Sequence, residues 1–259
     1  MKLIYHEKYL NSSYSLDPAA ASGRIESIME SISKKMDENT YEILNPESAT
    51  EDDILLAHTQ YHLKYVKNDS LLYELASLAV GGAILTAKQA IQGNPSFGII
   101  RPPGHHASAN SAWGFCYFNN MAISLLKLFK EQKIKSAFIL DFDLHVGDGN
   151  KNILLSRTDN FKVKILNPRS SNNTSYINEV EGYMKNLENI DIFAASAGFD
   201  QGIDDWGHLL YPEDYTTLGK LMKKYSQKLC EGKRFALLEG GYNHSVLGNN
   251  VVSFLQGFK

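Results

Sequence analysis

Ser136-Ala137-Phe138-Ile139-Leu140-Asp141-Phe142-Asp143-Leu144-His145 reads as a buried strand that ends in charge. Ser136 to Leu140 carries no glycine, proline or charge, as expected of a strand in a parallel sheet covered on both faces. Asp141, Asp143 and His145 follow at a spacing of two, which on a strand directs them to one side. Asp143 and His145 lie nearer the tip, so they are the candidate ligands and Asp141 a group behind them. Two further apolar runs end alike: Asp191 to Ala197 leads into Gly198-Phe199-Asp200, and Phe97 to Ile100 leads into a turn with His105-His106. In an open α/β sheet, sites form outside the carboxyl ends of strands, so these groups can meet. Asp143, His145 and Asp200 make an anionic set of three protein ligands with a position left open. That set suits catalytic Zn²⁺, with Fe²⁺ or Mn²⁺ as further candidates. Any one Asp could simply cap a helix, but several buried charged groups rarely gather without a metal because the desolvation cost is so high.

Outward from this stretch, short apolar runs alternate with helical patterns. Leu3 to His6, Phe97 to Ile100, Ala137 to Leu140, Val163 to Leu166, Ile192 to Ser196 and Phe235 to Leu238 are strand-like. Leu71 to Gln92, Asn120 to Lys133, Tyr176 to Leu187 and Pro212 to Cys230 are helical, as is the pattern Ile25, Ile28, Met29, Ile32 after Arg24. The alternation predicts an α/β fold, a single-domain parallel doubly wound sheet flanked by helices, over residues 1–259. Ser12 to Ser22 and Asn167 to Ser175 are polar loops, neither long enough to mark a domain boundary.

Composition narrows the function classes. At 259 residues, 43% apolar and 21% charged, the chain has ordinary globular usage. A net charge of -3 argues against nucleic acid as a partner. Two cysteines, Cys116 and Cys230, are too few for a disulfide framework and imply a reducing compartment. No apolar run approaches the roughly 20 residues of a membrane span, and the N-terminus lacks a signal-peptide core. A soluble cytoplasmic protein without a membrane partner is expected.

Five segments, in order, carry a family resemblance: Arg101-Pro-Pro-Gly-His-His-Ala107, Gly114-Phe-Cys-Tyr-Phe-Asn-Asn120, Asp141-Phe-Asp-Leu-His-Val-Gly-Asp-Gly149, Ser196-Ala-Gly-Phe-Asp200 and Leu238-Glu-Gly-Gly-Tyr-Asn243. The chain resembles the zinc-dependent histone deacetylase family, which includes acetylpolyamine amidohydrolases and acetoin-utilisation-type proteins and shares its fold with arginase. The resemblance implies that Asp143, His145 and Asp200 hold zinc. It implies that His106 is general base and then acid, oriented by Asp148, and that His105, paired with Asp141, acts electrostatically. Tyr242 would donate to the developing oxyanion, with Gly240 and Gly241 giving the tight turn that admits it. Phe115 beside Gly114 would wall a slot for an acyl-lysine or acyl-amine stem, with Gly241 also lining it. Arg24 resembles the family arginine near the inner acetate-release pocket, or is a solvated residue at a helix start.

The chain also departs from the family. Ile165-Leu-Asn-Pro-Arg-Ser-Ser-Asn-Asn173 replaces a Ser-Leu-His segment and an aromatic wall, leaving the family's inner K⁺ site without its hydroxyl. Val146 stands where many members carry His. Asp69 is the nearest match to a peptide-gripping rim Asp, although a plain turn residue fits better. Trp206, after Asp200, is either a rim wall or an inward-packed side chain. A shallow, wide mouth is expected, and with it a zinc-dependent deacylase acting on an acetylated or short-acylated lysine or small amine. The alternatives are a binding or sensing protein, an arginase-like ureohydrolase and a structural metal protein. The intact His106, Asp148 and Tyr242 weigh against mere binding, and three rather than four ligands weigh against a structural site. The sequence leaves the oligomeric state open.

Overall fold

The computed structural model describes residues Met1–Lys259. Seven strands, β1 (Lys2–Ile4), β2 (Glu42–Leu44), β3 (Ser96–Gly98), β4 (Ser136–Asp141), β5 (Lys162–Leu166), β6 (Ile192–Ala197) and β7 (Arg234–Leu238), form one sheet in the order β2-β1-β3-β7-β6-β4-β5. Every pairing is parallel. Nine helices connect and cover it: α1 (Arg24–Lys35), α2 (Glu51–Ile54), α3 (Gln60–Lys67), α4 (Ser70–Ile91), α5 (Asn120–Lys130), α6 (Asp148–Leu154), α7 (Asn173–Lys185), α8 (Pro212–Cys230) and α9 (His244–Phe258). This is the doubly wound parallel sheet expected, with α4 and α5 forming one helical group and α7, α8, α9 and α1 another. One connected core runs through the sheet and both groups.

Burial follows position in the sheet. The central strands β3, β4, β6 and β7 are buried along their whole length. The edge strand β5 alternates, with Lys162 and Lys164 outward, so burial on both faces does not extend to it. Lysines on an edge strand discourage pairing with another chain. The other edge, β2, went unread in the sequence because Glu42-Ile43-Leu44 is only three residues long and largely exposed. Helix α9 was also missed. Asn243 caps it by accepting from the Ser245 N–H, and Leu247, Val251, Phe254, Leu255 and Phe258 supply its buried face.

Helix α4 corrects one expectation from the sequence. At 22 residues it is long and apolar enough to cross a membrane by length and composition. It lies instead over β1, β3 and β7 and against α5, with most of its apolar window buried inside the fold. Its apolar residues are spent on the core. Asp69, weighed above as a rim residue, caps this helix by accepting the Leu72 N–H at 3.0 Å.

The strand order sets the site. β3, β7, β6 and β4 are consecutive neighbours, and the loops leaving their carboxyl ends carry, in that order, His105 and His106, Tyr242, Asp200, and Asp143 with His145. Four parallel strands therefore deliver all these side chains to one edge of the sheet.

Candidate metal and catalytic site

β4 ends at Asp141, so Asp143 and His145 stand on the loop beyond it and not on the strand itself. Their common direction comes from local hydrogen bonds: the His145 N–H donates to Asp143 Oδ1 at 2.8 Å, the short Asp-to-backbone turn this residue favours. The Leu144 N–H donates to Asp200 Oδ1 at 3.0 Å, and the Gly240 N–H to Asp143 Oδ2 at 2.9 Å. Three loops are thus stitched around two carboxylates. A Cβ on Gly240 would lie 2.6 Å from Asp143 Oδ2 and 2.7 Å from Asp200 Oδ2, so only glycine lets the β7 loop come this close.

The ligand atoms of Asp143, His145 and Asp200 all lie within 4.8 Å of one another. His145 Nδ1 is 3.2 Å from Asp143 Oδ1 and 3.2 Å from Asp200 Oδ2. Asp200 Oδ2 is buried without a hydrogen-bond partner. Burial, then the Asp143 charge, pushes the Asp200 carboxyl up to about 7. In Asp143 burial is outweighed by His105 and His145, which hold its carboxyl well below the usual range. Two buried carboxylates competing for one imidazole make a site with excess negative charge, and a divalent cation relieves that. The donor set fits such an ion. The His145 side chain remains 39% exposed, so the position facing the cavity is open.

His105 and His106 are both buried on the turn after β3. The turn is held from below by Glu239, whose Oε2 accepts the N–H groups of Gly104 (2.8 Å) and His105 (3.2 Å). His106 Nδ1 lies 2.6 Å from Asp148 Oδ1 at the start of α6. A carboxylate only accepts, so His106 Nδ1 carries the hydrogen and Nε2 keeps its lone pair. Burial, then the neighbouring His105, lowers His106 to about 4, which keeps it neutral near pH 7. For His105 burial works downward, but Asp143, Asp141 and Glu239 outweigh it and raise its pKa well above the ordinary value. His105 Nδ1 lies 3.3 Å from Asp141 Oδ2. Their surroundings thus push the pKa values of the two adjacent histidines in opposite directions.

Tyr242 comes from the loop after β7, where Asp205 Oδ2 accepts the N–H groups of Tyr242 and Asn243, each at 2.8 Å. Its ring stacks on Trp206 at 4.1 Å and meets Phe115 edge-on at 5.8 Å. Burial, then Asp143 and Asp200, raises its phenol far above 10, so the hydroxyl stays a donor. A cavity of about 310 Å³ opens above, lined by both histidines, His145, Tyr242, Gly114, Phe115 and Trp206. Trp206 is therefore a wall and not an inward-packed side chain.

Gly241 corrects the expected lining. Gly240 occupies that place, and Gly241 turns its carbonyl away to accept from Arg24 Nε at 2.8 Å. Arg24 is fully buried at the start of α1, which rules out the solvated reading; its Nη2 donates to the Glu239 carbonyl and its Nη1 has no partner. In the segment that departs from the family, Asn167 Nδ2 donates to the Asp141 carbonyl at 3.2 Å.

Three contributors escaped the sequence reading: Glu239 under the His pair, Asp205 behind Tyr242, and Trp113, whose indole N–H donates to Asp148 Oδ2 at 2.9 Å. Glu239 lies inside the last of the five quoted segments and Trp113 adjoins Gly114, and that placement was the only signal. His105, Cys116 and Glu239 also cluster within ligand distance. Burial pushes the Cys116 thiol well up, and Glu239 already serves two backbone donors, so this cluster reads as the brace of the turn.

The chain is similar to known proteins. Residues 69–167 match the family described as the Histone deacetylase domain. A protein named "Probable deacetylase" from Archaeoglobus fulgidus is 25% identical, covering 93% of this chain and 81% of its own length. Another of that name from Methanothermobacter thermautotrophicus is 26% identical, covering 91% and 84%. In fold, the chain matches a crystal structure of the HDA15 HD domain with a TM-score of 0.84 over 99% of this chain and 88% of that one, at 20% identity. The protein is a hydrolase acting on amides. Over residues 69–167 it is similar to the histone deacetylase family.

Proposed function

We propose that the protein is a zinc-dependent deacylase that hydrolyses the amide of an acetylated or short-acylated lysine or small amine. The observation that carries this reading is the convergence of Asp143, His145 and Asp200 within 4.8 Å beside a cavity that His106 and Tyr242 also line. A divalent ion bound by these three residues supplies Lewis-acid polarisation of the amide oxygen and a lowered pKa of water. His106 Nε2 takes the proton from the attacking water and returns it to the leaving amine nitrogen, while Asp148 holds Nδ1–H and stabilises the imidazolium. The Tyr242 hydroxyl donates to the amide oxygen as negative charge develops there. His105, paired with Asp141, acts electrostatically beside the reacting atoms. Phe115, Trp206 and Gly114 bound the substrate, and Arg24 lies behind Tyr242 on the path of the released acid.

The half-exposed His145 and the exposed Trp206 argue for a short mouth. A short mouth accepts acyl groups larger than acetyl and discriminates weakly among amine stems. The test is hydrolysis of matched acetyl and longer-acyl amides on peptide, free lysine and polyamine stems after reconstitution with Zn²⁺, Fe²⁺ and Mn²⁺. Metal-dependent turnover, highest with Zn²⁺, supports the proposal; binding of these amides without hydrolysis under any metal refutes it.

A further inference from the structure

We infer that Trp113 is a positioning residue that locks the His106–Asp148 pair, an inference that rests on the reading of His106 as the base. Asp148 is 42% exposed on the first turn of α6, so water competes for its carboxylate. Its two oxygens are nevertheless both engaged: Oδ1 faces His106 Nδ1 at 2.6 Å and Oδ2 accepts the Trp113 indole N–H at 2.9 Å. A carboxylate held at both oxygens cannot rotate to offer Oδ1 to solvent, so His106 keeps its hydrogen on Nδ1 and its lone pair on Nε2. The indole also covers the imidazole, with ring centroids 3.8 Å apart at an interplanar angle of 34°.

The backbone is built for this placement. Gly114 and Phe115 both have positive φ, 57° and 66°, so the chain curls immediately after Trp113 and returns the indole over the histidine. A Cβ on Gly114 would lie 2.4 Å from His106 Cδ2, so the curl packs its own backbone against the same ring. His106 is thereby fixed by Trp113, the Gly114 backbone, Asp148 and His105, whose centroid is 4.0 Å away. Once His106 takes up a proton, the indole face also attracts the imidazolium. That gain arises only after proton transfer begins, so it bears on turnover and not on ground-state binding. An indole that merely walled the cavity would need neither the N–H contact nor the stack.

The zinc-reconstituted full chain separates these roles. Trp113→Phe keeps a ring and loses the N–H; it should lower kcat about tenfold, the effect of one charge-assisted hydrogen bond, with KM unchanged. In an Asp148→Ala background the same substitution should change kcat less than about twofold, because its partner is gone. Trp113 is 55% exposed, so the variant should fold. A third arm needs no activity. In a Trp206→Phe protein Trp113 is the one remaining tryptophan of the two, and its indole N–H NMR signal should move and lose exchange protection on Asp148→Ala. A raised KM with unchanged kcat, additive effects in the double variant, or an indole signal indifferent to Asp148 would each overturn the inference. If the wild-type protein hydrolyses no acyl amide, the functional reading falls, and the indole signal still decides the Trp113 contact.

Discussion

Removing one oxygen from Tyr242 isolates the oxyanion donor from everything else in the site. Tyr242 is held by its backbone, through the two N–H contacts to Asp205, and by its ring, through Trp206 and Phe115. Tyr242→Phe preserves all of these. The folding cost should therefore stay within about 0.5 kcal/mol, the range for substitutions that break no buried contact. The kinetic cost is of another size: loss of an oxyanion donor removes about 3 kcal/mol of transition-state stabilisation, or roughly 10² to 10³ in kcat. The phenol is far from ionising, so the deficit should be constant from pH 6 to pH 9. The assay is kcat and KM on an acyl-lysine amide, with metal content and Tm measured on the same preparations. Wild-type turnover in a folded, metal-loaded variant would refute the donor role.

Further outcomes follow from the same geometry. His106→Ala should lower kcat by roughly 10² to 10⁴ with metal retained, since it removes proton transfer and no ligand; steady-state kinetics with metal analysis checks this. His58, buried beside His62, has its pKa lowered to about 3, by burial and then by His62. The unfolded chain protonates first, so this stability is complete above about pH 6.5 and is lost as pH falls toward 3, reaching about 2 kcal/mol at pH 5. Tm should accordingly fall less steeply between pH 7 and pH 5 in His58→Gln than in wild type, and equal slopes would contradict it. The short mouth predicts less than about 10³-fold preference in kcat/KM for any one amine stem; a larger preference for a polyamine would require specific charged contacts that the lining lacks.

The candidate site was legible because its residues end apolar runs. Asp143, His145, Asp200 and the His105–His106 pair each follow a strand that burial makes recognisable, and parallel topology gathers strand ends. The strand assignment for Asp143 and His145 was one step too long, since β4 stops at Asp141 and the loop turns both groups inward. What escaped acts through contacts distant in sequence. Glu239 braces Gly104 from 135 residues away, Asp205 reaches Tyr242 across 37, and Trp113 meets Asp148 across 35. No local periodicity encodes such pairings. Strand β2 was too short and too exposed to register, and the apolar length of α4 was underestimated although its helical pattern was read.

The central claim is that Asp143, His145 and Asp200 hold a catalytic divalent cation. Metal content per chain, measured on wild type and on Asp200→Ala after Zn²⁺ reconstitution and chelator-free desalting, tests it most directly, with circular dichroism confirming that both are folded. The account predicts about one zinc per wild-type chain and a large loss in the variant, with hydrolysis falling in parallel. Full zinc occupancy in folded Asp200→Ala would contradict it.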